Sequence, residues 1–365
     1  MIRLFAAILA LLTASAASAQ VVIDTQSARA VLAAVANPAL TEAEAERIAD
    51  LPGNKGLIRK QGAYNDAIGR KDFIAALLAA ALRTAEAGPF GFSRLRGRER
   101  ELSGALDAAA DPALLARVGA RVGRYAAPGF RPKGTAYLIV GGTSSGFAFG
   151  DPELWVRVTD FVGDAPGLES TLAHELFHMA QAALAGPSAA TFFYESERDG
   201  ALTGQRAHDC YRTRAFFGNL VVEGTASLVG DEGSLPERGP YSAKARAEHA
   251  AQAGRMAAHA TLLEMSLAAI TGPEAVPFDD VYAVGFYSPA PLYALGEAMA
   301  RAIANADGDR AVSSYFTQPP EAFVRRYIEL SDAAPPTAKL AKLGSLAHRW
   351  AARASCPADP PATPR

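Results

Sequence analysis

The sequence predicts an α+β chain, mainly α, in which a small sheet precedes a helix carrying an HExxH pattern and additional helices stand N-terminal to the sheet. Three observations predict this arrangement. Alanine-rich apolar positions recur at three- and four-residue steps through most of the chain, which is the helical period. Two stretches, Thr135 to Val140 and Leu154 to Val158, are β-branched and apolar, and read as strands. Both come directly before His174-Glu175-Leu176-Phe177-His178, which lies inside a helical pattern.

Taken in order, residues 1–19 hold Arg3, an apolar run and Ala17-Ser18-Ala19 at the end, the pattern of a cleaved export signal. A secreted or periplasmic location follows as an expectation. Nothing later reaches the roughly 18 uninterrupted apolar residues that a bilayer requires, so no stable membrane insertion is expected after cleavage. From Asp24 to about Ala127 the pattern is helical in pieces, broken at Asn37-Pro38, Leu51-Pro52-Gly53, Gly88-Pro89 and Asp111-Pro112. Thr41 and Glu44 have the spacing of a capping box, and Asp111 before Pro112 that of an N-cap followed by proline. Residues 20–130 are thus read as an N-terminal helical lobe, either part of the main body or a separate cover over a cleft, with no constellation of chemical groups of its own.

The texture changes after Arg131-Pro132-Lys133-Gly134. The first strand, TAYLIV, runs into a glycine-rich turn from Gly141 to Gly146. The second sets Trp155 and Arg157 against Leu154, Val156 and Val158, as a strand with one wetter face would. Helices are expected at about 168–185, 215–229, 241–270, 290–305, 320–330 and 336–352. Residues 131–355 form the region with the chemistry, and the proline-rich tail 356–365 reads as disordered.

Lys and Arg number 36 against 38 Asp and Glu, a net charge of −2, which argues against an electrostatic grip on nucleic acid or anionic lipid. Arg94, Arg96, Arg98 and Arg100 are interrupted by Gly97 and Glu99 and read as a solvated turn. Cys210 and Cys356 are the two cysteines, and in an exported chain they are expected to pair.

The HELFH run carries the functional argument. His174 and His178 are one helical turn apart and project together from a face beside the apolar stripe of Leu168, Leu172, Leu176, Met179 and Ala183. Two imidazoles so placed can take adjacent corners of a tetrahedral zinc site, with Glu175 turned about a hundred degrees away and in reach of a water there. A catalytic zinc needs a third protein ligand and an open position. Glu223, set among apolar neighbours in Val221-Val222-Glu223-Gly224-Thr225-Ala226-Ser227, is the candidate, because a lone carboxylate there is costly to bury without a cation. Gly224 beside it suggests close approach of another backbone. The rivals Glu195, Glu197, Asp199, His208 and Asp209 sit in a polar stretch that reads as loop.

HELFH followed by EGTAS resembles the gluzincin metallopeptidases, and more narrowly the uncharacterised zinc-dependent peptidase families with an HExxH and EGxA pair. The likeness covers roughly residues 135–305, including a later Tyr-x-x-Gly helix. It implies a zincin-like catalytic region, a peptide or protein substrate, zinc as cofactor, His174, His178 and Glu223 as ligands, and Glu175 as general base. Ser227 stands where the thermolysin-like pattern has an aspartate behind a ligand histidine, and the gap to the glutamate is longer. A further donor to the developing oxyanion is expected, with Tyr293 the first candidate and Tyr287 the second. In gluzincins the corresponding edge strand pairs with extended peptide, a role the resemblance gives to Leu154–Val158.

Two other readings stand beside this one. Gly142 to Gly146 reads GTSSG, which fits G-x-S-x-G with Ser144 as a serine-hydrolase nucleophile, but Phe147, Phe149, Gly150, Asp151 and Pro152 lead on into a strand rather than the helix that such an elbow requires. Alternatively the chain is a non-enzymatic periplasmic binding or scaffold protein with a structural metal, although structural sites usually have four protein ligands and are rich in cysteine. His208, His249, His259 and His348 are assigned to no site, His249 and His259 being read onto a solvated helix face.

Overall fold

In a computed structural model, residues 21–353 are described apart from 85–87, 150–151, 187–191, 336 and 339. Residues 1–19, read as an export signal, the tail 356–365 and Cys356 lie outside the described residues. Cys210 itself is disulfide-bonded.

The architecture is mainly helical with a small mixed sheet. Strand β1 (Val21–Asp24) is followed by helices α1 (Gln26–Val35), α2 (Glu42–Ala49), α3 (Pro52–Tyr64), α4 (Arg70–Ala81), α5 (Glu99–Ala109) and α6 (Pro112–Tyr125). Then come β2 (Gly134–Ile139), β3 (Gly146–Ala148) and β4 (Glu153–Arg157), and after them α7 (Ala165–Ala185), α8 (Ser196–Gly200), α9 (Gln205–Gly230), α10 (Ser242–Ala253) and α11 (Met256–Ile270). The series ends with α12 (Phe278–Phe286), α13 (Pro291–Asp307), α14 (Glu321–Ala333) and α15 (Ser345–Ala351). Among the described residues, no helix is long and apolar enough to cross a membrane.

Local chemistry explains several boundaries. The Thr41–Glu44 capping box is present at the start of α2, and Asp111 caps α6 through the Ala113 amide. Asp164 is 2 % exposed and accepts from the Gly167 amide at the start of α7, from the Tyr241 and Ser242 amides and from the Ser242 hydroxyl. One buried carboxylate thereby satisfies donors at the starts of two helices, α7 and α10, that would otherwise be orphaned.

The sheet order is β1-β2-β4-β3, with β1 parallel to β2, β2 parallel to β4, and β3 antiparallel to β4. This corrects the sequence reading. The strand around Leu154–Val158 is internal, and the edge is β3, which begins at the last residue of the segment read as a glycine-rich turn. Trp155 does not face water either. It is 3 % exposed, lies parallel to Phe147 at 5.3 Å, and is covered by α3 at Gly56, where a Cβ would come within 2.1 Å of the indole. Glycine at that position lets a helix close over the large ring, so the wetter face of the strand is occupied by N-terminal helices.

Helix α7 packs on the opposite face. A Cβ on Gly146 would meet Glu175 and Thr171, and one on Gly134 would meet Met179. The buried apolar side chains form a core that includes Val21 of β1 and Ala351 of α15. Helix α9 passes through it, with Phe216, Phe217, Leu220, Val221 and Val229 all fully buried, which is why its sequence shows little amphipathic pattern. It begins at Gln205, inside the stretch read as loop. The helix expected over 241–270 is two, divided at Gly254-Arg255. His249 bonds Glu297 at 3.2 Å and His259 is 3 % exposed, so neither lies on the solvated face that one long helix implied.

Candidate metal centre

Helices α7 and α9 bring three donors together. The Nε2 atoms of His174 and His178 are 3.1 Å apart, and each is 3.6 Å from Glu223 Oε2. Donors about 2.0–2.1 Å from one tetrahedral ion stand roughly 3.3 Å from one another, so this spacing fits a single zinc. Among the described residues these three form a group that could hold a metal, their ligand atoms all within 4.8 Å of one another. The rivals lie elsewhere: Asp199 is tied to His208, Arg212 and Tyr194, and Asp209 to Gln205 and the Gly272 amide.

The ring of His178 is oriented by a residue that sequence reasoning missed. Its Nδ1 meets Gln181 Oε1 at 2.7 Å, and the Gln181 amide donates to Val222 O at 2.8 Å and Thr225 Oγ1 at 3.0 Å. An amide held from behind in this way presents only its oxygen to the ring, which puts the proton on Nδ1 and leaves the Nε2 lone pair facing the other donors. Gln181 joins α7 to α9 at the position where the metal donors also meet.

The electrostatics of the group are strongly coupled. Burial alone would push Glu223 up, but His178, His174 and the Tyr293 hydroxyl hold it at about 2. Burial would lower His174, yet its pairing with Glu223 and the charge of Glu175 raise it to about 8. A metal held here by His174, His178 and Glu223 would take the place of that proton. Glu175 is 6 % exposed, and burial pushes its carboxyl up against the opposing pull of His174, His178 and Lys60. A carboxyl with this bias is suited to accept and return a proton.

The tyrosines separate clearly. Tyr293 lies beside Glu223, close enough for its hydroxyl and the carboxylate to act on each other, and stacks parallel to His174 with ring centroids 6.5 Å apart. Its hydroxyl is raised well above its ordinary value, by burial first and then by the Glu223 charge, and so stays a proton donor. Tyr287 is 52 % exposed, contacts Tyr282, and is not among the residues that line the cavity.

Tyr293 reaches Glu223 because α9 and α13 cross backbone to backbone. A Cβ on Gly224 would lie 2.3 Å from the Gly296 carbonyl carbon, and one on Gly296 would lie 2.6 Å from Leu220 O. The close approach suggested by Gly224 is therefore real, and the Tyr-x-x-Gly pattern places the tyrosine one turn from the contact.

A cavity of about 630 Å³ opens over these groups. Its walls come from β3, α7, α9 and Tyr293, with Phe192, Phe193 and Phe316 at an apolar end and Lys60 of α3 at the other side. Lys60 is a second residue the sequence did not disclose, since the first helices offered no motif. Ser144, the alternative nucleophile, shares a hydrogen bond with Tyr64 at 2.9 Å, and no histidine bond to it appears among the described residues.

A helical body that gathers two imidazoles and a carboxylate at the floor of an open cavity defines a zinc-dependent protein. The chain belongs to the family described as "Putative zinc dependent peptidase (DUF5700)", which matches residues 45–333 and so spans the whole donor set, Lys60 and Tyr293. No curated protein and no solved structure matches the chain.

Proposed function

We propose that the chain is an exported zinc peptidase of gluzincin type, with His174, His178 and Glu223 as metal ligands, Glu175 as general base and Tyr293 as oxyanion donor. The observation that carries this reading is the convergence of two Nε2 atoms and one carboxylate oxygen on one point, with a biased carboxyl beside them. Zinc bound by such a set supplies Lewis acidity to a water and to the carbonyl under attack. Glu175 takes the proton of the attacking water and returns it to the leaving amine. Tyr293, kept protonated by its surroundings, donates to the oxygen on which negative charge develops. Gln181 keeps His178 in the ligating tautomer throughout.

The strand-pairing role passes to β3. Ser145 O accepts from the Arg157 amide at 2.8 Å. Alternation along an antiparallel pair then turns the N–H and C=O groups of Gly146 and Ala148 toward the unpaired edge, beside the cavity that both residues line. An extended peptide laid there would bring a carbonyl toward Glu175.

The test is Glu175→Gln. Purified protein should keep its zinc while peptide hydrolysis falls by roughly a hundredfold or more, the scale of a lost general base. A scaffold with a structural metal would show no chelator-sensitive hydrolysis in either form, and that outcome would remove the peptidase reading.

A further inference from the structure

Among the described residues that line the cavity, one cationic side chain, Lys60, is not used by the proposed mechanism. Lys60, near the end of α3, extends toward Phe147 in the cavity whose lining also includes Glu175 and Glu223, while Arg59 lies over Phe149. Its ammonium has the rings of Tyr64 and Phe147 for company, at 5.0 and 5.5 Å from their centroids, and no carboxylate pairs with it among the described residues. Cation–π contacts at that range are weak, and a partly buried lysine gains most from an anion.

The sheet says where such an anion would come from. Along β3, Phe147 faces α3 and Lys60, whereas Gly146 faces α7 and Glu175. The side chains of a peptide added to the same edge alternate in the same way, so neighbouring residues turn one toward α7 and Glu175 and the next toward α3 and Lys60. The charges on the floor repel an acidic group, which leaves the lysine as the place for it.

We propose that Lys60 is a specificity-determining residue that binds a carboxylate of the substrate close to the scissile bond, an inference that rests on the peptidase reading. The carboxylate is either the free C-terminus of a short peptide or an acidic side chain. Both present the same chemistry, and the experiment separates them.

Two pairs of otherwise identical peptides serve as probes: one pair differs in a free or amidated C-terminus, the other in Glu or Gln next to the cleaved bond. Binding of each is measured calorimetrically to zinc-loaded Glu175→Gln protein, with Lys60 intact or changed to Gln or Arg, alongside KM for the chain with native Glu175. The carboxylate member of one pair should bind about fivefold more tightly, the upper end for a partly exposed ion pair. Lys60→Gln should erase the difference and Lys60→Arg should restore most of it, and the pair that responds identifies the source. An equal preference in the Lys60→Gln protein, or none in either pair, overturns the proposal. Because binding is read without turnover, a Lys60-dependent preference in a chain whose native-Glu175 form hydrolyses nothing would leave carboxylate binding at Lys60 standing and refute both the hydrolase reading and the role in specificity.

Discussion

The Gln181 side chain touches His178 through its oxygen and the α9 backbone through its nitrogen, so it acts on the metal centre and on the packing of α7 against α9 together. Gln181→Ala should lower zinc affinity by about ten- to a hundredfold. It should also cost about 1–3 kcal/mol of stability, since it leaves buried polar groups without partners. Competition with a fluorescent chelator and urea denaturation would measure the two effects, and Gln181→Glu, which keeps an acceptor for the ring, should recover more metal affinity than alanine. At this scale the sequence was informative where chemistry is local. His174, Glu175 and His178 are set by helical spacing, and Glu223 by the cost of an isolated buried acid. Gln181 was invisible because a glutamine three residues after a histidine is common in helices, and Lys60 because its cavity is built by residues from Gly146 onward, far along the chain.

Between elements, the geometry depends on how closely α9 and α13 approach. Gly296→Ala would set a methyl group 2.6 Å from Leu220 O, so the helices must separate. Overpacking of this kind costs about 1–3 kcal/mol. The shift would also draw Tyr293 away from Glu223, so hydrolysis should fall further than zinc content; equal loss of both would indicate general misfolding instead. The Gly224 reading shows that a helix-weakening residue can report a tertiary contact. The β4 reading shows the opposite case. Alternation revealed two faces, but could not tell a water-facing side from one roofed by α3, nor an internal strand from an edge, because both are decided by distant partners. Since the outward amides lie on β3, Ala148→Pro is the informative change. Proline is tolerated on an edge strand when its missing N–H faces away from the ladder. Peptide turnover should drop about tenfold or more through the lost substrate bond while zinc content and melting temperature hold, and unchanged turnover would argue against strand pairing.

For the whole molecule, the N-terminal helices and the HExxH helix share one sheet from opposite faces, an arrangement that helical periodicity could not supply because it says nothing about where β1 goes. A ligand that binds the folded state alone stabilises it, by about 2.7 kcal/mol at a hundred times its dissociation constant. Chelation should therefore lower the melting temperature by several degrees, with recovery on adding zinc, as scanning calorimetry would show; a transition indifferent to chelator would place the metal elsewhere. The parallel pairing of Val21 with Gly134 has a consequence in time. During synthesis the first strand emerges long before β2, its neighbour in the sheet, and a short parallel pair with so large a loop between its members is slow to close. Until β1 arrives, the edge of β2 that it covers lies open to any unfolded chain that passes by.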